Sequence, residues 1–168
     1  NCESSPMSRT HPPKWRGRKE DRPEDICAAA LELFAEKGFA AAEIEVEAAA
    51  RIRASILLAG PMLARVGRMF LPPPGGDVIG RRRVDTHFLA LAKLGAKVET
   101  SGGYRLEATG LKGADMFLDE PSVTATENAV MAAVMAKGKT RIRNAAAEPH
   151  VQDLCNMLVS MGAKISGI

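Results

Sequence analysis

A short repeat constrains the fold of this 168-residue chain more than any other feature. Residues 94–98 read LGAKV, and residues 161–165, 67 positions later, read MGAKI. Before each motif the predicted elements follow the same order, which is helix, glycine, strand, loop and second helix. We therefore predict that the chain after residue 43 contains two copies of one α/β unit. The second copy stops at Ile168, where its hairpin would begin, so we expect a partial protein.

The composition fits a soluble packed chain and excludes several other classes. Hydrophobic residues make up 46% and charged residues 26%, unlike a disordered chain, and the net charge of +3 is too small to indicate a nucleic-acid or membrane partner. The three cysteines are few and far apart, which argues against a disulfide framework and favours a reducing compartment. The longest charge-free apolar run, residues 54–64, is much shorter than the about 20 residues that span a bilayer, and no signal peptide opens the chain. These features predict a cytoplasmic protein.

Periodicity and breaker residues predict the elements. A polar, basic tail precedes a helix that Pro23 opens and Gly38 ends. Later helices are expected over 48–66 with an irregularity at Pro61, 84–94, 122–137 with a capping box at Thr124 and Glu127, and 149–161. Strands are expected over 69–71, 96–100, 104–108, 114–118, 140–144 and 163–166, the second and third forming a hairpin.

The segment LPPPGGDVIG at 71–80 and the arginines that follow it could form an anion site. Asp77 is the one acid–base side chain of this loop, and it is either a solvated turn residue or a general acid above an anionic substrate. Arg81, Arg82 and Arg83 lead into the next helix. They are either a solvated face or a site where guanidinium groups and free backbone N–H groups bind phosphate.

Other polar residues have both a structural and a functional interpretation. Arg53 lies between apolar residues, as a surface arginine or a ligand contact, and Ser122, Val123 and Thr124 start a helix as ordinary capping residues would. His87 faces inward and is expected to be a hydrogen-bonded core histidine. The histidines and cysteines show no metal-ligand spacing, and no nucleotide P-loop is present, so we predict neither a metal nor a cofactor.

Four motifs resemble the UDP-N-acetylglucosamine 1-carboxyvinyltransferase family. They are RIRASILLAGPMLAR at 51–65, LPPPGGDVIGRRRVD at 71–85, LKGADMFLDEPSVTAT at 111–126 and RNAAAEPHVQDLCNMLVSMGAKISG at 143–167. The resemblance covers residues 43–168 and implies part of an inside-out α/β barrel of repeated βαβαββ-like units. It also implies transfer of the enolpyruvyl group of phosphoenolpyruvate to the 3′-hydroxyl of UDP-N-acetylglucosamine, an early step of peptidoglycan synthesis.

The resemblance assigns roles to individual residues. Asp77 matches the loop position, usually cysteine, that protonates the phosphoenolpyruvate methylene, and without a thiol it should not react with the epoxide fosfomycin. Residues matched to substrate contacts are Arg53, Arg82, Arg83, Val84, Asp85, Thr86, Glu120, Ser122, Val123 and Thr124. Arg83 replaces a common proline, Thr86 a leucine and Glu120 a lysine, which is typical of a divergent paralogue.

Parts of the family pattern have no counterpart in this chain. The Lys-Asn pair that contacts phosphoenolpyruvate is missing before Glu43, and the second catalytic domain would follow Ile168. Because transition-state binding needs groups from both sides of the cleft, we expect negligible turnover by these residues alone. Units that lack their neighbours expose apolar faces, so we also expect some self-association.

A second resemblance lies before residue 43. The segment RPEDICAAALELFAEKGFAAA at 22–42 resembles the first helix of tetracycline-repressor (TetR) type regulators. We divide the chain into a basic tail at 1–22, this helix at 23–42 and the transferase part at 43–168. Because no recognition helix follows, specific nucleic-acid binding is not expected. The alternatives to a transferase part are a TetR-type regulator fragment and a module that binds a nucleotide sugar without catalysis.

Overall fold

Helices alternate with short strands along the part of the chain that the computed structural model describes, which is residues 46–76 and 83–168. These residues belong to one unit that spans Glu43–Ile168. The helices are α1 (Val46–Arg51), a 3₁₀ helix (Arg53–Leu58), α2 (Ala59–Val66), α3 (Asp85–Lys93), α4 (Val123–Ala133) and α5 (Pro149–Ser160). The strands are β1 (Arg68–Leu71), β2 (Lys97–Glu99), β3 (Tyr104–Glu107), β4 (Asp115–Phe117) and β5 (Arg141–Arg143). This content confirms the predicted α/β class.

The strands form two small sheets. In the first, the order is β1-β3-β2 with antiparallel pairing, so Leu106 lies opposite both Met69 and Val98. The tight turn between β2 and β3 uses Gly102 and Gly103, both at positive φ, which confirms the predicted hairpin. In the second sheet β4 and β5 pair in parallel, as expected for strands joined through a helix.

Helix α4 lies at the centre of the packing and contacts α2, α3, α5 and the 3₁₀ helix. Its buried residues are small, including Ala125, Ala129 and Ala132, which lets neighbouring helices come close. Larger apolar side chains fill the remaining core. Those with no exposed surface include Ile56, Leu71, Leu91, Leu94, Leu106 and Leu118. This core holds the starts of α3 and α4 in fixed relative positions.

The sequence repeat is also a structural repeat. Gly95 after α3 has φ 102°, and Gly162 after α5 has φ 103°. In the first copy the Gly95 N–H donates to Ala92 and the Ala96 N–H to Leu91. Bonds in the second copy link the same relative positions, from Gly162 to Val159 and from Ala163 to Leu158. Both copies therefore end a helix with the same Schellman motif, in which glycine tolerates the left-handed conformation.

The predicted helix over 48–66 is interrupted at a different residue from the one expected. The break is at Ile52, which has extended backbone angles, φ −118° and ψ 125°, and a 3₁₀ helix follows it. Pro61 lies instead in the first turn of α2. A proline costs little there, because the first N–H groups of a helix have no partner within it.

The predicted helix over 122–137 is too long, and its predicted capping box is wrong. Ser122 caps α4, accepting the Ala125 N–H at 3.4 Å, and the helix ends at Ala133. Beyond the end, the Lys137 N–H donates to the Leu111 carbonyl at 2.9 Å. Because the backbone at Lys137 pairs with the segment just before β4, it cannot continue the helix.

The predicted strand over 163–166 is not formed. In the first copy, β2 pairs with the hairpin strand β3 that follows it. A β-strand needs a partner strand to supply its hydrogen bonds. For residues 163–166 that partner would be the counterpart of β3, which lies 67 positions after it and therefore past Ile168.

Several expectations fall on residues that the structure does not describe. They include the basic tail, the helix expected after Pro23, and the loop residues Asp77, Arg81 and Arg82. Among residues 46–76 and 83–168, no helix combines the length and the apolar character needed to cross a bilayer.

Candidate functional site

The first turn of α3 lies against the segment that precedes α4, although the two are more than 30 residues apart in sequence. The buried Thr86 hydroxyl lies 2.7 Å from Oδ1 of Asp119 and 3.3 Å from Oε1 of Glu120. Leu118, at the end of β4, is fully buried and anchors this segment. Residues 83–86 and 120–124, both matched to substrate contacts in the sequence analysis, therefore meet on one side of the fold. We call this place the edge.

Arg83 contacts three carboxylates at this edge. Its guanidinium donates to both carboxylate oxygens of Asp85, at 2.7–3.1 Å, and forms a short ion pair with Asp119. Its Nη1 also lies 3.8 Å from Glu120. We call Asp85, Asp119 and Glu120 the acidic rim. Arg83 is thus the cation of a partly exposed network, and the network ties the loop before α3 to the segment before α4.

The ionisation of this network follows from its geometry. The hydrogen bond from Arg83 is the main reason that the pKa of Asp85 is lowered. For Asp119 the Thr86 hydroxyl is the largest cause of the lowered pKa, and Arg83 is the next hydrogen-bonding cause. The same carboxylates raise the pKa of Arg83. All three groups are therefore charged at neutral pH.

Arg53 joins the same edge from the start of the 3₁₀ helix. Its Nη2 donates to the Arg83 carbonyl at 2.7 Å, so it touches the backbone of the loop and not the acidic rim. Gly76, with φ 99°, packs on the other side, where an added Cβ would lie 3.0 Å from the Cβ of Arg53. The proline-glycine loop therefore passes directly beside Arg53 before it reaches residue 77.

The start of α4 completes the edge. Ser122 caps the helix, and the Thr124 hydroxyl lies 3.1 Å from Nε2 of His87. His87 is 1% exposed, and Asn128 contacts its other ring nitrogen at 2.8 Å. The predicted hydrogen-bonded core histidine is therefore what the structure shows. Burial, with the Arg53 charge second, lowers its pKa to about 4.

The structure brings most of the predicted substrate contacts together. Arg53, Arg83, Asp85, Thr86 and Glu120 are linked directly or through one another. Val84 and Val123 are half-buried at the starts of their helices, beside Ser122 and Thr124. Asp77 and Arg82 lie outside the described residues. The substrate contacts assigned to all of these residues stay predictions.

Sequence reasoning missed two residues. Asp119 binds both Arg83 and Thr86, and Asn128 lies fully buried within α4. An asparagine inside an alanine-rich helix is a detectable signal, because it is a poor interior helix residue without a tertiary partner. Asp119 has only a weak signal, since acidic residues before a helix are common. In the described ranges, no group of three His, Cys, Asp or Glu side chains is placed so that it could hold a metal ion.

The family follows from comparison with known proteins. The family model of EPSP synthase (3-phosphoshikimate 1-carboxyvinyltransferase) matches residues 31–168. The chain belongs to the EPSP synthase family. The match begins inside the segment assigned to a TetR-type helix, so that resemblance and the division at residue 43 stay predictions.

Relatives within the EPSP synthase family share much of this sequence. The chain is 66% identical over 132 residues to a UDP-N-acetylglucosamine 1-carboxyvinyltransferase of Bradyrhizobium diazoefficiens, covering 79% of this chain and 31% of the relative. It is 66% identical over 126 residues to the enzyme of that name from Treponema denticola, covering 75% and 30%. The chain thus spans about a third of the length of these relatives.

Two solved structures share the fold. The enolpyruvyl transferase NikO from Streptomyces tendae superimposes with a TM-score of 0.64 at 18% identity, over 84% of this chain and 38% of that one. EPSP synthase from Acinetobacter baumannii gives a TM-score of 0.52 at 20% identity, over 68% and 27%. At this identity the likeness concerns the fold alone.

Proposed function

We propose that this chain is part of a UDP-N-acetylglucosamine 1-carboxyvinyltransferase and forms one side of its substrate cleft. The observation that carries the proposal is the 66% identity over 132 residues to a relative of that name. The geometry supports it, because three separated segments that include Arg53, Arg83 and Thr124 meet at one edge. Such convergence of polar groups from distant segments is typical of a binding site.

The charges at the edge suggest how the substrates would be held. Both phosphoenolpyruvate and UDP-N-acetylglucosamine are anionic, and Arg53 brings a guanidinium beside the loop that leads to Asp77. The acidic rim holds Arg83, so Arg83 would shape the loop. Arg53 and Arg82, which the family resemblance matches to substrate contacts, would bind anionic groups. Hydroxyl-rich sugar nucleotides also need acceptors, which the rim carboxylates can supply.

In the proposed reaction, the oxygen of the sugar 3′-hydroxyl bonds to C2 of phosphoenolpyruvate and its proton passes to a base, while Asp77 protonates the methylene carbon, C3. A base then removes a proton from C3 as the C2–O bond to phosphate breaks, which restores the double bond, releases inorganic phosphate and leaves the enolpyruvyl ether. An aspartate can act in this way provided that burial or substrate charge keeps it protonated. We propose that the described edge orients the sugar nucleotide for this addition.

A protection experiment tests the substrate. Trypsin cuts after Arg81 and Arg82, within the segment assigned to the cleft. UDP-N-acetylglucosamine should slow these cuts, whereas 3-phosphoshikimate, the substrate in the name of the family, should not at the same concentration. Equal protection by both compounds, or protection by 3-phosphoshikimate alone, would contradict the proposed substrate. Salt-sensitive retention on DNA without any protection would favour the regulator fragment.

Two arginine variants locate the effect. Arg53→Gln should weaken UDP-N-acetylglucosamine binding about tenfold, the usual order for a lost hydrogen bond to a charged group. Arg68→Gln removes the same charge from an exposed position on β1 and serves as the control. When the isolated chain is given phosphoenolpyruvate and UDP-N-acetylglucosamine together, release of inorganic phosphate should be negligible. Clear turnover would refute that expectation. Binding without turnover by a full-length relative that carries this segment would favour the non-catalytic module.

A further inference from the structure

A buried chain of polar groups runs from the core to the start of α4. Asn128 has no exposed surface, and His87 is 1% exposed. The chain continues from His87 to the Thr124 hydroxyl at 3.1 Å. Buried polar groups of this kind are costly unless each donor meets an acceptor, so their partners determine where the hydrogens lie.

The orientation of the Asn128 amide is determined by two backbone partners. Its Oδ1 accepts the Gly60 N–H at 2.7 Å, and its Nδ2 donates to the Ile56 carbonyl at 2.8 Å. The reversed amide would place its NH₂ against an N–H group and its oxygen against a carbonyl. Only one orientation therefore satisfies both contacts.

This orientation determines the tautomer of His87. The second hydrogen of Asn128 Nδ2 points to Nδ1 of His87 at 2.8 Å, so Nδ1 must accept. A neutral imidazole then carries its proton on Nε2, which donates to Thr124. Burial, with Arg53 as the second cause, keeps the ring neutral by lowering its pKa to about 4, and Asp85 offsets only part of this effect.

The direction of the hydrogen bond between His87 and Thr124 determines whether the Thr124 hydroxyl can donate to another group. Since the Thr124 oxygen accepts from His87, its own hydrogen points elsewhere. Within the described ranges, His87 is its one hydrogen-bond partner. Thr124 lies half-buried in the first turn of α4, beside the edge that Arg53 and Arg83 help to form. Its hydroxyl hydrogen is therefore left to donate to a ligand bound at that edge.

We propose that Asn128 is a positioning residue that acts through His87 to hold the Thr124 hydroxyl as a hydrogen-bond donor to the sugar nucleotide. The ligand in this proposal rests on the proposed function. The orientation of the hydroxyl rests on the ligand-free geometry alone, so the two can be tested separately.

The first experiment reads the tautomer without ligand. Imidazole ¹⁵N spectra of the isotopically labelled 168-residue chain at pH 7 should show His87 protonated on Nε2 and unprotonated on Nδ1. A proton on Nδ1, or a charged ring, would overturn the positioning role. The Asn128→Leu variant, of similar shape, should show a mixture of both tautomers, because nothing then distinguishes the two nitrogens.

The second experiment measures the affinity for UDP-N-acetylglucosamine. Thr124→Val should weaken binding about tenfold, whereas Thr124→Ser should stay within about twofold of the original chain. Asn128→Leu should weaken binding several-fold, but it should cost nothing further in the Thr124→Val background, because its effect passes through that hydroxyl. Thr140→Val is the control and should leave the affinity unchanged, because the buried Thr140 hydroxyl has no hydrogen-bond partner among the described residues.

The outcomes separate the two proposals. Equal losses from Asn128→Leu with and without Thr124→Val would overturn the positioning role, since the effect would then be structural. If Asn128→Leu does not fold, the tautomer of the unsubstituted chain still decides. If the unsubstituted chain does not bind UDP-N-acetylglucosamine, the proposed function is wrong, and so is the ligand proposed for Thr124. The tautomer result still supports or overturns the orientation of the Thr124 hydroxyl independently.

Discussion

The hydroxyl of Thr86 donates to Oδ1 of Asp119 at 2.7 Å, joining the first turn of α3 to the segment before α4. Thr86 is 1% exposed, whereas Asp119 is exposed, so the bond links the core to the surface. It is also the largest cause of the lowered pKa of Asp119. This one contact places the acidic rim relative to the core.

Removing that hydroxyl should reduce stability. Thr86→Val keeps the shape of the side chain and should lower the free energy of unfolding by about 1 kcal/mol, the net contribution of an ordinary hydrogen bond made by a buried hydroxyl. Asp119→Asn should be less costly in the Thr86→Val background than in the original chain. Urea unfolding of the four proteins measures this coupling, and strictly additive losses would show that the bond is not important for stability.

Arg83 should control Asp85 more completely than Asp119. The Arg83 hydrogen bond is the main cause of the lowered pKa of Asp85, whereas Asp119 keeps its Thr86 hydroxyl. In Arg83→Gln the pKa of Asp85 should rise toward its ordinary value, and that of Asp119 should rise only in part. Carboxyl ¹³C titrations measure both groups. Arg105→Gln, an exposed arginine on β3, is the control, and an unchanged Asp85 would contradict the assigned pairing.

His87 should make the fold sensitive to mild acid. Its pKa is about 4 in the folded protein against 6.5 ordinarily, so the unfolded chain binds the proton first. Stability from this group is therefore complete above pH 6.5 and is lost as the pH falls toward 4. The shift corresponds to a maximum of about 3 kcal/mol.

A variant separates His87 from the carboxylates. Asp85 and Asp119 have lowered pKa values, so their contribution is lost only below the ordinary carboxylate range, at a lower pH than that of His87. His87→Gln should flatten the stability profile between pH 6.5 and 4 in urea unfolding series. An equally steep profile in that variant would assign the acid sensitivity to other groups.

Gly60 should not tolerate a side chain. A Cβ added there would lie 2.4 Å from the Asn128 carbonyl oxygen and 2.9 Å from its Oδ1. Alanine is the better helix former, but the clash should dominate and cost about 2 kcal/mol in thermal or urea unfolding. Gly162→Ala is the comparison variant, because its added Cβ would meet no atom within 4 Å, so any loss of stability there comes from the backbone φ of 103°. A neutral or stabilising Gly60→Ala would show that α2 and α4 can move apart.

Local patterns were sufficient for much of the fold. The hairpin around Gly102 and Gly103, the helix over 84–94 and the repeated glycines all follow from turn chemistry and apolar spacing. One error has a tertiary cause. Helix α4 ends early where Lys137 bonds to Leu111, a partner that cannot be identified from neighbouring residues alone. The other error is local, because the helix break lies at Ile52 and not at Pro61, and the Ser55 N–H and hydroxyl both donate to the Ile52 carbonyl.

The candidate site divides in the same way. Residue identity and order show which segments carry arginines, carboxylates and hydroxyls, and in which order the helices and strands present them. The folded structure is needed to show that three carboxylates surround Arg83 and that Asn128 orients His87 toward Thr124. These contacts depend on packing, because hydrogen bonds and ion pairs need distances of about 3–4 Å between residues more than 30 positions apart.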